Sequence, residues 1–225
     1  MTSELKIKNL ISCEENSIYQ HFQNIKNIKG LILLYQASQL ECSRAGKLNP
    51  EIGSSRERDL VASFANNKEL IVDYDIPNGN EEDVNINNIK LSIKHSSNKE
   101  NTPGSIKINW TTNADLTENF VNNFVFRHDL IIVYVRLDKT NVTGTIEIIY
   151  INSYELIHQQ NNCKANGEKV FKILGGASKG IQFDVEFFKK IINNLLFHVY
   201  VEFKNFTCDG CDSISKRIKL LNSIQ

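Results

Sequence analysis

The 225-residue chain has little proline and no excess charge of either sign. Its three prolines form no proline-rich linker, and no segment repeats. Lys plus Arg and Asp plus Glu total 26 each, so no overall basic excess indicates a nucleic-acid partner. A neutral total does not exclude such a partner, because a local basic rim can coexist with a cluster of acids. With 41% hydrophobic residues, the composition predicts one ordinary globular domain.

The chain also lacks a long apolar run at its start. Residues 1–6 lead into an amphipathic stretch, without the apolar core of a signal peptide or membrane span. An odd number of cysteines, five, favours free thiols over a disulfide framework. Cys208 and Cys211 have metal-ligand spacing, but no second pair accompanies them to complete a zinc site. We therefore expect a cytoplasmic protein.

Hydrophobic periodicity predicts a mixed α/β fold. Apolar positions at helical spacing between residues 4 and 43 predict two or three helices, so residues 1–52 form a helical N-terminal part. Ser54 to Glu57 has the pattern of a capping box opening the next helix. Strand-like and helical segments then alternate, which predicts a mixed central sheet flanked by helices. Strands are expected at 69–72, 83–95, 105–111, 130–137, 145–151 and 198–203, and helices at 115–124, 153–158 and 184–196.

Residues 83–94 form the most informative segment, two alternating runs joined by Asn87 and Asn88. Asn tolerates positive φ, so this pair suits a two-residue β-turn that places Val84 opposite Leu91. Because side chains alternate along a strand, one face of this hairpin is apolar and the other is polar. The polar face carries Asp83, Asn85, Lys90, Ser92 and Lys94.

Asp83 and Lys94 lie diagonally across this hairpin, close enough to reach one bound phosphate. Phosphodiester hydrolysis needs a divalent cation and a polarised water. Mg²⁺ prefers oxygen ligands, so Asp83, a second carboxylate and the main-chain carbonyl of Ile93 would suffice. Lys94 would orient the attacking water. The alternative is a solvated hairpin on which an acid and a lysine happen to face each other.

Asp83 followed by Ser92-Ile93-Lys94, and preceded by a helix with Glu57, resembles the PD-(D/E)xK nuclease core of type II restriction endonucleases. In that core an Asp opens one strand, and an acid-x-Lys tripeptide lies on the next. The resemblance covers residues 53–137 as the catalytic core, and within the superfamily the chain resembles the ThaI-like enzymes. It implies a prokaryotic Mg²⁺-dependent homodimer that cuts both strands of a specific site in double-stranded DNA, with residues 138–225 contributing to DNA recognition.

The sequence departs from the family pattern at two positions. No proline precedes Asp83, and Ser92 stands where the second acid is expected. Glu57 is the candidate substitute, so the resemblance implies a catalytic set of Asp83, Lys94, Glu57 and Ser92, with metal ligands from Asp83, Glu57 and Ile93. Alternatively, Glu57 only closes the capping box. Asp73 and Asp75 are the acids to consider if the strand has been misregistered.

Two loops are candidates for DNA contact. Ser96, Ser97 and Lys99 follow the Lys94 strand, and their hydroxyls and ammonium suit phosphate oxygens. Ser178 and Lys179 lie in the glycine-rich stretch 175–180, which does not satisfy the P-loop pattern. Two other functions stay open at this point. One is a DNA repair or recombination nuclease of the same fold, and the other is a non-catalytic DNA-binding or scaffold protein.

Overall fold

A computed structural model of the chain has the mixed α/β architecture that the hydrophobic pattern predicts. It describes residues 4–46, 49–76, 81–96, 106–109, 114–138, 140–174 and 180–206. The helices within these ranges are α1 (Ser17–Gln23), α2 (Ile25–Arg44), α3 (Asn49–Ala65), α4 (Ala114–Asn123), α5 (Ser153–Ala165) and α6 (Val185–Ile192). The strands are β1 (Glu4–Ile11), β2 (Val72–Asp73), β3 (Val84–Ile86), β4 (Ile89–Ser96), β5 (Lys107–Asn109), β6 (Asp129–Leu137), β7 (Gly144–Ile151), β8 (Phe171–Leu174), β9 (Gly180–Phe183) and β10 (Phe197–Lys204).

Seven strands form a mixed sheet in the order β1-β10-β7-β6-β4-β3-β2. Only β4 and β6 run parallel within it, and the other neighbouring pairs are antiparallel. β6 lies in the middle and is buried along most of its length, as its β-branched sequence predicts. A smaller sheet has the order β5-β9-β8.

Helices α1 to α3 cover one face of the large sheet. Asn16 and Asn24 cap α1 and α2 through their side-chain oxygens, which accept backbone N–H groups of the first turn. In α2, the apolar residues Ile28, Leu31 and Tyr35 recur at helical spacing and are fully buried against the sheet. This face forms the first core, which includes the apolar side of the β3–β4 hairpin.

The opposite face of the large sheet forms a second core with the smaller sheet and helices α5 and α6. Leu130 and Ile132 of β6 enter it, together with an aromatic group from several elements. That group consists of Phe126, Phe171, Phe183, Phe187 and Phe188. The side of β4 opposite the first core therefore faces this second core. None of the described helices is long and apolar enough to span a membrane.

The β3–β4 hairpin has the predicted turn and register. Asn87 and Asn88 have φ of 52° and 67°, and Val84 pairs with Leu91. Val84, Leu91 and Ile93 are fully buried on the apolar face. The division of the hairpin into an apolar and a polar face is confirmed.

Three predictions about elements were wrong. The helical assignment of residues 1–52 fails at Glu4–Ile11, which is strand β1 because Leu5 and Ile7 alternate with exposed residues against β10. Helix α3 begins at Asn49 and not at Ser54, so Ser54 lies inside it and the capping box does not exist. The strand predicted at 69–72 is displaced, because β2 covers only Val72–Asp73. Of the segment predicted as a strand at 105–111, residues 106–109 are described, and Lys107–Asn109 forms strand β5, which pairs with β9 in the smaller sheet.

Candidate active site

The side chains of Asp83 and Lys94 meet at the open end of the hairpin. Lys94 Nζ lies 3.5 Å from Asp83 Oδ2. The same oxygen accepts hydrogen bonds from the backbone N–H of Ile93 at 2.6 Å and from Ser92 Oγ at 3.3 Å. Two hydrogen bonds and one ion pair therefore hold this carboxylate oxygen. Among the described residues, none donates a hydrogen bond to the other oxygen, Oδ1.

The backbone at Ile93 explains this arrangement. β3 starts at Val84, and the Asp83 N–H still bonds to the Leu91 carbonyl at 2.8 Å. The next pairing position of β4 has no β3 residue beside it, so the Ile93 N–H takes the Asp83 carboxylate instead. Since the N–H and C=O of a strand residue point to the same side, the Ile93 carbonyl faces this edge too.

Asp83, Ser92 and Lys94 line a cleft of about 290 Å³. Ser92 and Lys94 pair with Leu130 and Ile132 of β6, so the cleft lies on the face of the sheet that carries the second core. Its other described lining residues are Glu81, Ile108, Phe120, Phe124, Phe126, Arg127, His128 and Leu130. The cleft thus joins a charged part, at the hairpin, to an aromatic part.

Glu57 lies well inside α3, the helix that packs against β4. Burial raises the pKa of Glu57 to about 7, with Lys94 opposing the shift and the negative charge of Asp83 adding to it. The structure therefore brings Glu57 into the electrostatic field of both hairpin residues. Glu57 is not among the described residues that line the cleft, and its helix packs on the first-core side of β4.

A buried polar network holds α3 beside Glu57. Arg56 and Asp59, 3% and 4% exposed, flank Glu57 in the sequence. Arg56 Nη2 donates to Gln39 Oε1 at 2.8 Å, and Asp59 Oδ2 accepts from the Ser38 hydroxyl, so both residues are tied to α2. Two buried charges with such partners fix the rotation of α3, and with it the side from which Glu57 points.

His95, the residue after Lys94, belongs to the same helix side. Its Nε2 is hydrogen-bonded to Tyr35 Oη at 2.8 Å. Burial, and then the positive charges of Arg56 and Lys94, hold the pKa of His95 well below its ordinary value, so the imidazole is neutral. A neutral, partly buried His95 anchors the end of β4 to α2 and does not add a charge to the site.

The residues present can accommodate a divalent cation. Burial is the main cause of the raised pKa of Glu57, and the charges of Lys94, which lowers it, and Asp83, which raises it, both act on the same carboxyl group. A hard cation prefers such oxygens, with the Ile93 carbonyl on the same edge. Within the described ranges, no group of three or more His, Cys, Asp or Glu residues forms a metal cluster. A cation here would therefore retain several waters, as Mg²⁺ commonly does.

The remaining predicted residues are only partly placed. Ser96 ends β4 and pairs with Tyr134 of β6. Ser97, Lys99, Ser178 and Lys179 lie outside the described residues, as do Cys208 and Cys211. Asp73 is exposed on the edge strand β2, and neither Asp73 nor Asp75 is among the described residues that line the cleft.

The sequence analysis missed Arg127, His128 and the aromatic wall of the cleft, which consists of Phe120, Phe124 and Phe126. The signal available was Phe120 and Phe124 at helical spacing, followed by two basic residues directly before the buried strand β6. Such residues are typical of a helix end that packs on a core, so the pattern alone could not distinguish residues of a functional cleft from ordinary core residues. Their function becomes a question only because β6 runs parallel to β4, which brings them beside Lys94.

Comparison with known proteins assigns the chain to a family. The family model described as restriction endonuclease ThaI matches residues 21–214. The chain belongs to the ThaI restriction endonuclease family. No curated protein matches it. A solved structure described as a restriction endonuclease in complex with substrate DNA matches this ThaI-family chain with a TM-score of 0.65 and 23% identity. That match covers 92% of the chain and 100% of the solved one, so it extends the restriction endonuclease fold over nearly all of the sequence.

Proposed function

We propose that this ThaI-family chain is a Mg²⁺-dependent type II restriction endonuclease that cuts both strands of a specific site in double-stranded DNA. The contact between Lys94 Nζ and Asp83 Oδ2 carries the proposal, because both side chains line one cleft at the open end of a rigid hairpin. Membership of the family supports a restriction function. The related solved structure is described as holding substrate DNA, which supports DNA as the partner.

Asp83, Glu57 and the Ile93 carbonyl would hold the cation. When bound, Mg²⁺ would neutralise charge on the phosphoryl oxygens and make a nearby water more acidic. Ser92 and the Ile93 N–H keep Asp83 Oδ2 in place, so Ser92 acts by orienting the carboxylate. Within the described residues this leaves Asp83 Oδ1 for the cation.

Lys94 orients the attacking water and stabilises the negative charge that develops on its oxygen. The water oxygen gives up a proton to the solvent and bonds to phosphorus, while the bond from phosphorus to O3′ breaks and O3′ takes up a proton from the solvent. The products are 5′-phosphate and 3′-hydroxyl ends. Lys94 is 20% exposed, so its ammonium is partly shielded from bulk water and its charge acts more strongly than a surface lysine's.

Cutting both strands of a symmetric DNA site is best done by a symmetric enzyme, so we propose a homodimer. The chain would act as a single nuclease domain, with residues 138–225 contributing to DNA recognition. Ser96 would contact the phosphates of the cleaved strand, together with Ser97 and Lys99. Ser178 and Lys179 are proposed as a second contact.

Incubation of plasmid DNA with the protein, with and without Mg²⁺, tests the proposal. We expect discrete fragments only with Mg²⁺, and sequencing of their ends should return one common site. Cleavage at random positions or at single-stranded ends would instead indicate a repair or recombination nuclease. No cleavage under any divalent metal would indicate a non-catalytic DNA-binding protein.

The role of Glu57 as the replacement for the missing second acid can be tested by placing an acid at position 92. Glu57→Gln should abolish cleavage at moderate Mg²⁺, and adding Ser92→Glu should restore part of it, because residue 92 lies against Asp83. The matched control is Ser92→Gln in the Glu57→Gln background, which adds a similar side chain without charge. Equal activity of the two double variants would contradict the assignment of Glu57.

A further inference from the structure

Arg127 differs from the other basic side chains of the cleft because no acid holds it. Lys94 contacts Asp83, and Nε2 of His128 lies 3.4 Å from Oε2 of Glu82. Arg127 lines the same cleft and is exposed, yet among the described residues no carboxylate oxygen lies within ion-pair distance of its guanidinium. A cation without a partner in the free protein is open to an anion from outside.

The backbone that carries Arg127 is held on both sides. Phe126, directly before it, is buried in the second core, and its N–H donates to Oε1 of the buried Gln160 at 3.3 Å. His128, directly after it, is held by Glu82. The guanidinium therefore extends from a fixed point of the chain, and binding a ligand costs the ordering of one side chain only.

The register of the large sheet sets how far Arg127 lies from the hydrolytic pair. Lys94 pairs with Ile132 of β6, and Arg127 precedes Ile132 by five residues. Five residues span at most about 18 Å of backbone. Successive phosphates of one DNA strand advance about 3.4 Å along the helix axis, so a neighbour of the scissile phosphate falls within this span. Since Lys94 and Arg127 line one cleft, both can contact the same strand at different phosphates.

The charges of the cleft and the shape of the guanidinium select a phosphate as the ligand. Glu81 and Asp83 bring two negative charges to the described lining, against one positive charge from Lys94, so Arg127 offsets the remaining repulsion of DNA. Its planar fork of N–H donors matches two oxygens of a phosphate. We propose that Arg127 holds the phosphate next to the scissile one on the cleaved strand. This inference rests on the proposed function and adds a phosphate subsite that sets the position of the scissile bond along the strand.

Methylphosphonate substitution tests this contact, because it removes the charge of one phosphate at a time. It is placed at successive positions of the cleaved strand, in a short duplex carrying the site identified from fragment ends. The Lys94→Gln protein serves as a binding form that does not cut. At one position beside the cleavage point, the substitution should weaken binding about tenfold, and it should have no effect there once Arg127→Ala is added. At the scissile position, both proteins should respond equally.

Salt dependence gives a second measurement on unmodified duplex. Each phosphate contact contributes about −0.9 to the slope of log K against log salt, so Arg127→Ala should make the slope shallower by about one. Arg127→Lys keeps the charge without the fork, so it should restore the slope and only part of the affinity. The control is Lys29→Ala, because Lys29 is exposed on α2, which covers the opposite face of the sheet. It should match the parent protein at every methylphosphonate position.

A methylphosphonate profile that Arg127→Ala leaves unchanged would overturn the phosphate subsite and leave the nuclease proposal standing. The same holds if the salt slope of Arg127→Ala equals that of the parent protein. Weaker binding at every position together with a lowered thermal midpoint would assign Arg127 to folding, which also overturns the subsite. If the wild-type protein neither cuts nor binds duplex DNA, both proposals fall. Failure of the subsite and failure of the proposed function are therefore distinguishable.

Discussion

Replacing Lys94 by Ala should slow cleavage about a thousandfold while leaving the fold intact, and Lys90 offers a matched comparison. Both lysines lie on the polar face of β4, and each contacts one carboxylate. Lys90 Nζ lies 3.0 Å from Glu82 Oε2 and Lys94 Nζ lies 3.5 Å from Asp83 Oδ2. The side chain of Lys90 is 53% exposed, whereas that of Lys94 is 20% exposed. Only Lys94 lines the cleft with Asp83.

The expected effects on stability and on activity differ sharply. Solvent-accessible ion pairs contribute about 0.2–1 kcal/mol, so either alanine variant should unfold close to the wild-type midpoint. A unit charge about 4 Å from a developing negative charge is worth about 4 kcal/mol at an effective dielectric constant of about 20, or roughly 10³ in rate. Lys94→Ala should therefore lose about three orders of magnitude in cleavage rate, and Lys90→Ala should keep its rate within about threefold.

Initial rates of plasmid cleavage at saturating Mg²⁺ measure this difference, with thermal unfolding of each variant as the check on folding. A folded Lys94→Ala protein that cuts within tenfold of the wild type would refute the assignment of the water-orienting ammonium. Equal losses in the two variants would refute the view that position along β4 distinguishes the two lysines.

Three further predictions test other parts of the structure. Because burial raises the pKa of Glu57 to about 7, the metal-free protein should lose stability as pH rises from about 5 to 8, by at most about 3 kcal/mol. In urea unfolding, Glu57→Gln should flatten that loss, and Mg²⁺ should offset it at pH 8 only in the wild type. Tyr35→Phe removes the 2.8 Å hydrogen bond to His95 and should cost about 1–3 kcal/mol in the same assay, whereas a cost near zero would mean that the bond is not formed. Gly144→Ala should lower the thermal midpoint because its Cβ would meet the carbonyl of the neighbouring strand β6, and Gly53→Ala, whose Cβ meets nothing within 4 Å in α3, should raise it slightly.

The hairpin could be predicted from the sequence because everything that defines it is local. Asn87 and Asn88 tolerate positive φ, and the alternation on either side fixes the register once the turn is known. Its apolar and polar faces follow from that register alone. The meeting of Asp83 with Lys94 is therefore a consequence of residues fewer than a dozen positions apart.

Features that depend on distant partners could not be predicted in this way. β1 is a strand because it pairs with β10, almost two hundred residues further along the chain, and its short apolar pattern is equally compatible with a helix. The start of α3 was placed too late because Gly53 looks like a break, although it lies inside the helix with open space around it. The aromatic wall forms only when α4, α5 and the smaller sheet assemble around the second core.

Along β4, residues that stabilise the first core alternate with residues that face the cleft. Leu91 and Ile93 are fully buried in the first core, while Ser92 and Lys94 point to the cleft on the other face. A substitution on the cleft face can thus change the reaction at little cost in folding. Ile93 is the exception, because its side chain anchors the core while its N–H holds Asp83. The position of the carboxylate is therefore tied to the packing of the first core, and a cavity made there should disturb catalysis from the opposite side of the sheet.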